Sequence, residues 1–242
     1  MTDRVAAGPL GDSGSYALVD FVPFTAEVYL RLLERVGESS WPLHLATLVL
    51  GVAAMILMWR GRGRIACVLL AAPWAWVGIT FFEQRYAQLN WAGGWFAGAF
   101  LVQAAGLLLL AAMGAAFDRG AATTQRSAHS GILQQGAPLA GGLILAGFGV
   151  LAYPVIGPLS GSALFQAETF GIHPDPTAVA TLGIMLVGLR GFGLWLAMLI
   201  PLLWCLITGL TLYVLDAPWT PIPLAAAVLA VVLVLWKTVR DA

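Results

Sequence analysis

Long apolar stretches dominate the hydrophobic pattern of this chain, and a helix that spans a bilayer needs roughly 17–25 such residues. The clear stretches are Trp41–Trp59, Ile65–Phe82, Ala92–Phe117, Pro138–Gly157, Gly193–Leu215 and Pro221–Trp236. A shorter one, Thr177–Leu189, ends before Arg190. Asp175 is expected to cap this helix, with Pro176 in its first position. The pattern predicts seven spans; in the alternative, there are six and residues 160–190 form a re-entrant segment.

The segment before the first span is amphipathic. Val28, Leu32 and Val36 recur at helical spacing, and charged residues occupy the other side. Thr25 is placed to cap this helix. The segment is too short and too charged to span, so residues 21–40 are predicted to form an interfacial helix. Residues 1–20 lack the pattern of a secretion signal and are predicted to be a flexible tail, which leaves 41–242 as the transmembrane bundle.

The composition agrees with a membrane protein. The chain is 60% hydrophobic and 10% charged, whereas soluble domains have about 25% charged residues. The predicted fold class is therefore all-α, a polytopic transmembrane helix bundle whose first partner is the lipid bilayer. Net charge is zero and the only basic cluster is Arg60–Arg64, so no nucleic-acid partner is predicted.

Positive charges predict the orientation. With the N-terminus outside, four basic residues lie outside: Arg4, Arg31, Arg35 and Arg85. Eight then lie inside: Arg60, Arg62, Arg64, Arg119, Arg126, Arg190, Lys237 and Arg240. The positive-inside rule favours this arrangement, with the N-terminus out and the C-terminus in. The hydrophilic connection Asp118–Gly136 is then a mobile cytoplasmic loop.

The chain lacks the residues that several membrane-protein chemistries require. A retinal-binding pump requires a lysine within its last span, but the only lysine, Lys237, lies at the end of that span. A haem between helices calls for two buried histidines, and only His44 falls in a span. Cys67 and Cys205 have no metal or redox spacing. We predict no cofactor, no metal ligands and no catalytic residues.

Polar residues gather on the predicted outer face, and they form a candidate polar site. The candidate residues are His44, Glu83, Arg85, Glu168, His173 and Asp175. Histidines with carboxylates are typical of metal or cation sites, but no two of them have the i, i+4 spacing of helical ligands. In the alternative interpretation, Asp175 is a helix cap and Glu83 with Arg85 is a solvated pair.

The segment Tyr153–Thr177 is unusually rich in glycine and proline. Irregular backbone at membrane depth is tolerated only where protein or water covers it. The segment is expected either to line a substrate cavity or to cover the bundle as an ordered loop. A functional site would bring Glu168 and His173 together. The alternative places Glu168 on a solvated surface and His173 on a backbone carbonyl.

Four stretches together resemble a family of uncharacterised bacterial polytopic membrane proteins that carries only an unknown-function label. They are Pro23–Tyr29 with Trp41-Pro42, Leu89–Ala92, Gly171–Gly183 and Ile200–Gly209. The resemblance begins near residue 21 and is most specific in His173–Gly183. In the family a proline often follows Asn90, where this chain has Trp91. The resemblance implies a bacterial inner-membrane protein and supplies no activity.

Three function classes remain after these observations. The leading hypothesis is a non-enzymatic accessory subunit or assembly component of a membrane complex, with other membrane protein subunits as partners. Nearly charge-free spans and many small residues favour it, because small residues allow close helix packing. The alternatives are a small-solute transporter or channel and an intramembrane enzyme that acts on a lipid-like substrate.

Overall fold

A computed structural model of the chain describes residues 18–114 and 136–241. The predicted flexible tail therefore lies almost wholly outside the described residues, and so does nearly all of the predicted loop Asp118–Gly136. No β-strand occurs within 18–114 or 136–241, although Phe170 and His173 form one isolated bridge. The predicted all-α fold class is confirmed.

Nine α-helices make up the described part of the chain. They are α1 (Ala26–Ser39), α2 (Leu43–Trp59), α3 (Gly63–Trp76), α4 (Gly93–Met113), α5 (Ala137–Gly147), α6 (Tyr153–Leu159), α7 (Pro174–Gly188), α8 (Gly191–Val214) and α9 (Pro221–Asp241). Two π-helical turns extend this set: Val77–Glu83 continues α3, and Phe148–Ala152 joins α5 to α6. Helix starts and ends lie within a few residues of the predicted apolar stretches.

Five helical stretches are long and apolar enough to cross a membrane, and six if α1 and α2, bent by 90° against each other, count as one. Helix α7 has 15 residues and extends about 22 Å at 1.5 Å per residue, less than a bilayer core of about 30 Å. The chain is thus a helical bundle with several possible spans. The count of seven remains a prediction.

Helix α7 is the centre of the bundle, because all 15 of its residues are buried. Helices α2, α3, α5, α8 and α9 pack around it. A helix that is apolar on all sides is stable only when other elements cover it completely. At its last turn, Lys237 of α9 donates a 2.7 Å hydrogen bond to the carbonyl of Leu186.

Glycines let α5 and α7 approach with almost no space between their backbones. A Cβ added at Gly183 would collide with the backbone of Ala146, and one at Gly149 would collide with that of Ala180. A Cβ at Gly142 would lie 3.0 Å from the carbonyl oxygen of Gly183. Gly142, Gly149 and Gly183 therefore have a packing role, as predicted for small residues between membrane helices.

Helix α1 is amphipathic, as predicted, and the Thr25 side chain accepts a hydrogen bond from the Val28 N–H at 3.4 Å. Its apolar face, which includes Leu32, Leu33 and Val36, is buried against the protein. Part of the cover comes from the turn Leu164–Gln166. The apolar face of α1 is therefore already occupied by the bundle and is not free for lipid.

Helix α1 defines one end of the bundle, which we call the α1 end. The turn after Glu83, the connection 160–167 and the turn 215–220 also lie there. The opposite end holds Arg60 and Arg62, Arg190 and the last turn of α9. The predicted outer face corresponds to the α1 end.

Candidate functional site

Asp175 is fully buried between α7 and α8, where two side chains bind its carboxylate. Its Oδ1 accepts a 2.7 Å hydrogen bond from Trp204 Nε1, and its Oδ2 accepts a 2.9 Å hydrogen bond from Thr208 Oγ1. The interpretation of Asp175 as a helix cap is wrong. The helix already begins at Pro174, the capping position belongs to His173, and the Asp175 side chain turns to α8 instead.

The carboxylate of Asp175 lies well below the end of the bundle. Its partner Thr208 comes six residues before Val214, the last residue of α8, which corresponds to about 9 Å of helix. Burying a charged side chain this far inside a bundle is costly unless it is hydrogen-bonded, as Asp175 is. The sequence pattern indicated Asp175 as a candidate site residue but did not identify its partners on α8.

Glu168 lies beside Asp175 in the connection between α6 and α7, with only 5% of its surface exposed. The two carboxyl groups are close enough to interact electrostatically. Burial and the neighbouring Asp175 carboxylate raise the pKa of Glu168 well above its usual range. Two carboxyl groups in one desolvated site cannot both ionise readily. The alternative that placed Glu168 on a solvated surface is wrong.

Three buried polar atoms near this pair have no hydrogen-bond partner among the described residues. They are Glu168 Oε2, the Tyr153 hydroxyl and Trp219 Nε1. The Tyr153 hydroxyl is close enough to interact electrostatically with Asp175, but its geometry does not make a hydrogen bond. All three residues line one small cavity, together with Ser162 and Gln166. Its volume of about 10 Å³ is close to the space that one water molecule needs.

A wider depression opens next to this cavity at the α1 end. It has a volume of about 320 Å³, and α1, the connection near Ser160 and the turn at Asp216 surround it. The depression and the small cavity share Ser162, Gln166 and Trp219 as lining residues. The small cavity beside the carboxyl pair therefore adjoins a depression at the surface of the α1 end.

His173 has a different role from its neighbours. It is completely buried, its Nδ1 accepts a 3.0 Å hydrogen bond from the Thr169 N–H, and its Nε2 lies 3.4 Å from the Leu33 carbonyl oxygen. With Nδ1 as acceptor, Nε2 carries the proton and donates to that carbonyl. Burial lowers the pKa of His173 to about 3. A neutral His173 thus links the connection before α7 to helix α1. This agrees with the alternative prediction, in which His173 binds a backbone carbonyl.

The remaining predicted site residues do not join the carboxyl pair. Arg85 donates to the Thr80 carbonyl at 3.2 Å and to Ser39 Oγ at 2.8 Å, rather than pairing with the exposed Glu83. His44 is half-buried near the ring of Trp41. No group of three or more His, Cys, Asp or Glu side chains suited to a metal ion occurs in the described ranges.

Sequence reasoning missed Tyr153, Trp204, Thr208 and Trp219. Trp204 and Thr208 are spaced i, i+4, so their side chains lie on one face of an apolar helix. Nothing in the sequence pointed from this face to Asp175.

Comparison with known proteins gives one match. The profile of a family described as "Family of unknown function (DUF6064)" matches residues 26–242. No curated protein and no solved structure matches the chain.

Proposed function

The chain belongs to the DUF6064 family of unknown function, and we propose that it is a membrane transport protein in which Glu168 and Asp175 share an exchangeable proton. One observation carries the proposal: Glu168 Oε2 is buried without a hydrogen-bond partner, and Glu168 lines a small cavity that adjoins the depression at the α1 end. The proposal assigns no catalysed reaction to the protein.

A purely structural role would not require Glu168. Asp175 already ties α7 to α8 through Trp204 and Thr208, so a second carboxyl group adds desolvation cost without adding a helix contact. Buried carboxyl groups within membrane proteins characteristically carry protons along transport paths. The excess cost of burying Glu168 therefore favours proton binding over helix fastening.

Irregular helices near the pair support the same proposal. The π-helical turns Val77–Glu83 and Phe148–Ala152 interrupt two long helices, and such turns occur frequently at functional sites. The short helix α7 starts at membrane depth after a non-helical connection. Secondary transporters place their binding sites at such discontinuous helices.

The occupancy of the pair by a proton is measurable by infrared spectroscopy of the purified protein. A protonated carboxyl group absorbs apart from a carboxylate, so a pH titration in detergent follows Glu168 directly. We expect a carboxylic acid band that persists above the normal titration range of glutamate, about pH 4.3, and disappears in Glu168→Gln. The matched control Glu83→Gln, at an exposed glutamate, retains the band. A wild-type protein without this band would contradict the proposal.

Transport itself is tested in proteoliposomes under an imposed membrane potential. We expect proton flux through the wild-type protein to exceed that of Glu168→Gln, with Glu83→Gln equal to wild type. A flux equal to that of protein-free liposomes, at several pH values and with a panel of small solutes, would contradict a transport role.

A second candidate function is the membrane subunit that the leading sequence hypothesis described. The observation that favours it is an open face of small residues on α4, where a Cβ at Gly98 or Gly106 would meet nothing within 4 Å. Gly94 and Gly98 form a G-x-x-x-G pair, which commonly supports helix association in membranes. Purification in mild detergent followed by mass spectrometry tests it. A stable companion chain lost in Gly98→Ile supports the subunit role, and purification of a single chain opposes it.

A further inference from the structure

Three arginines line one groove at the α1 end, away from the carboxyl pair. Arg31 and Arg35 come from α1, and Arg85 comes from the turn that follows α3. The groove between these elements has a volume of about 520 Å³, and the amides of Gln84 and Gln88 also line it. The groove thus offers hydrogen-bond donors from two separate parts of the chain.

The groove is lined by basic and not by acidic side chains. Within the described part of the chain, no aspartate or glutamate lines it. Glu34, the acidic residue between the two arginines of α1, accepts a 3.4 Å hydrogen bond from Gln166 instead. Arg31 and Arg35 lie one helical turn apart, and like charges at that spacing repel each other. An anion bound between them would remove this repulsion.

Arg85 is held in a fixed position before any ligand arrives. One of its terminal nitrogens donates to the Thr80 carbonyl and the other donates to Ser39 Oγ. Because a guanidinium has five N–H donors, these two bonds leave others for a ligand. A rigid guanidinium loses little conformational entropy when it binds the planar or tetrahedral oxygens of an anion.

The walls and the position of the groove favour a phosphate group. Leu32 and Leu89 add apolar surface beside the arginines, so the groove suits a ligand with a charged head and an apolar body. Helix α1 bends by 90° from α2 and therefore lies across the end of the bundle, so its exposed arginines face away from the helices that are apolar enough to span. Arginine near a membrane surface attracts anionic lipids.

We propose that the groove formed by Arg31, Arg35 and Arg85 binds a phosphate-bearing anion, either the headgroup of an anionic phospholipid or a free phosphate ester. The site is independent of the carboxyl pair, so either assignment stands without the other.

The test measures binding of phosphatidylglycerol, with phosphatidylcholine as the uncharged reference, by native mass spectrometry of the full-length protein. Each basic residue near a membrane surface contributes a factor of about five in affinity. The double variant Arg31→Gln/Arg35→Gln should therefore bind phosphatidylglycerol about 25-fold more weakly. The matched control Arg60→Gln/Arg62→Gln removes two exposed arginines from the opposite end. Because it loses the same diffuse attraction to anionic lipid, the groove is supported only if the Arg31→Gln/Arg35→Gln variant loses clearly more affinity than this control.

Soluble glycerol phosphate distinguishes the two sources of the ligand. If glycerol phosphate competes for the groove, the ligand is a free phosphate ester. If the protein prefers phosphatidylglycerol and glycerol phosphate does not compete, the ligand is a lipid headgroup. The variant Arg31→Lys/Arg35→Lys keeps the charge and should recover part of the affinity, which separates ligand loss from misfolding. No preference for phosphatidylglycerol and no binding of glycerol phosphate would overturn the proposal, as would equal losses in the double variant and its control.

Discussion

Trp204 donates its indole N–H to Oδ1 of Asp175 at 2.7 Å, from the helix that follows α7. With Thr208 on the second oxygen, Asp175 has a donor for each carboxylate oxygen, while Glu168 has an oxygen without any. Hydrogen bonds to the ionised form stabilise that form. The shared proton therefore belongs chiefly to Glu168, and Asp175 is the ionised partner.

Removal of the indole donor should destabilise the bundle. In Trp204→Phe an aromatic ring still packs against Phe82 and Phe100, whose rings lie 4.9 and 5.4 Å from that of Trp204, but the bond to Asp175 is lost. A hydrogen bond to a charged group contributes about 1.5–3 kcal/mol. We expect a lower thermal unfolding temperature in detergent. Trp195→Phe, at a half-buried position of the same helix, is the control, and an equal loss there would contradict the assignment.

Replacement of Glu168 should change how stability depends on pH. Its pKa is raised in the folded protein, so the folded state holds a proton that the unfolded state releases. Stability then falls as pH rises from the unfolded pKa towards the folded one. The measurement compares wild type and Glu168→Gln from about pH 5 upward, above the ordinary pKa of glutamate. Wild type should lose stability over this interval, and Glu168→Gln should be flatter. Parallel curves would count against a protonated Glu168.

The contact between α5 and α7 makes a prediction about glycine. A methyl group at Gly183 would collide with the backbone of Ala146, which cannot move without shifting all of α5. Overpacking of this kind costs about 1–3 kcal/mol or more. Gly183→Ala should lower the unfolding temperature, whereas Gly98→Ala, on an open helix face, should leave it unchanged or raise it slightly. An unchanged unfolding temperature in Gly183→Ala would mean that α5 and α7 lie farther apart than in this structure.

The charge distribution predicts which end of the bundle faces the cytoplasm. Exposed Arg62 and Ser160 lie at opposite ends, and the native Cys67 and Cys205 are buried. In intact cells an impermeant thiol reagent should label Ser160→Cys and leave Arg62→Cys unlabelled until the cells are opened. The reverse result would invert the orientation.

The sequence predicted the helices well because each one depends on a local pattern. Long apolar runs located the helices of the bundle to within a few residues, and the alternation around Val28, Leu32 and Val36 located α1. The role of Asp175 was out of reach for a physical reason. Its donors lie 29 and 33 residues further along the chain, and a helical pattern does not specify which faces meet. The sequence rule that an aspartate before a proline caps a helix therefore assigned Asp175 the wrong role.

The complete burial of α7 bears on how the chain is assembled during synthesis. A short helix with an ionised Asp175 near its start has little to gain from lipid, and the donors that satisfy that carboxylate emerge from the ribosome only with α8. Leu189 and Arg190 alone separate the two helices, so they are short enough to enter together as a hairpin. We therefore expect α7 to insert stably only after Trp204 and Thr208 have been synthesised, so that α7 and α8 enter the bundle together.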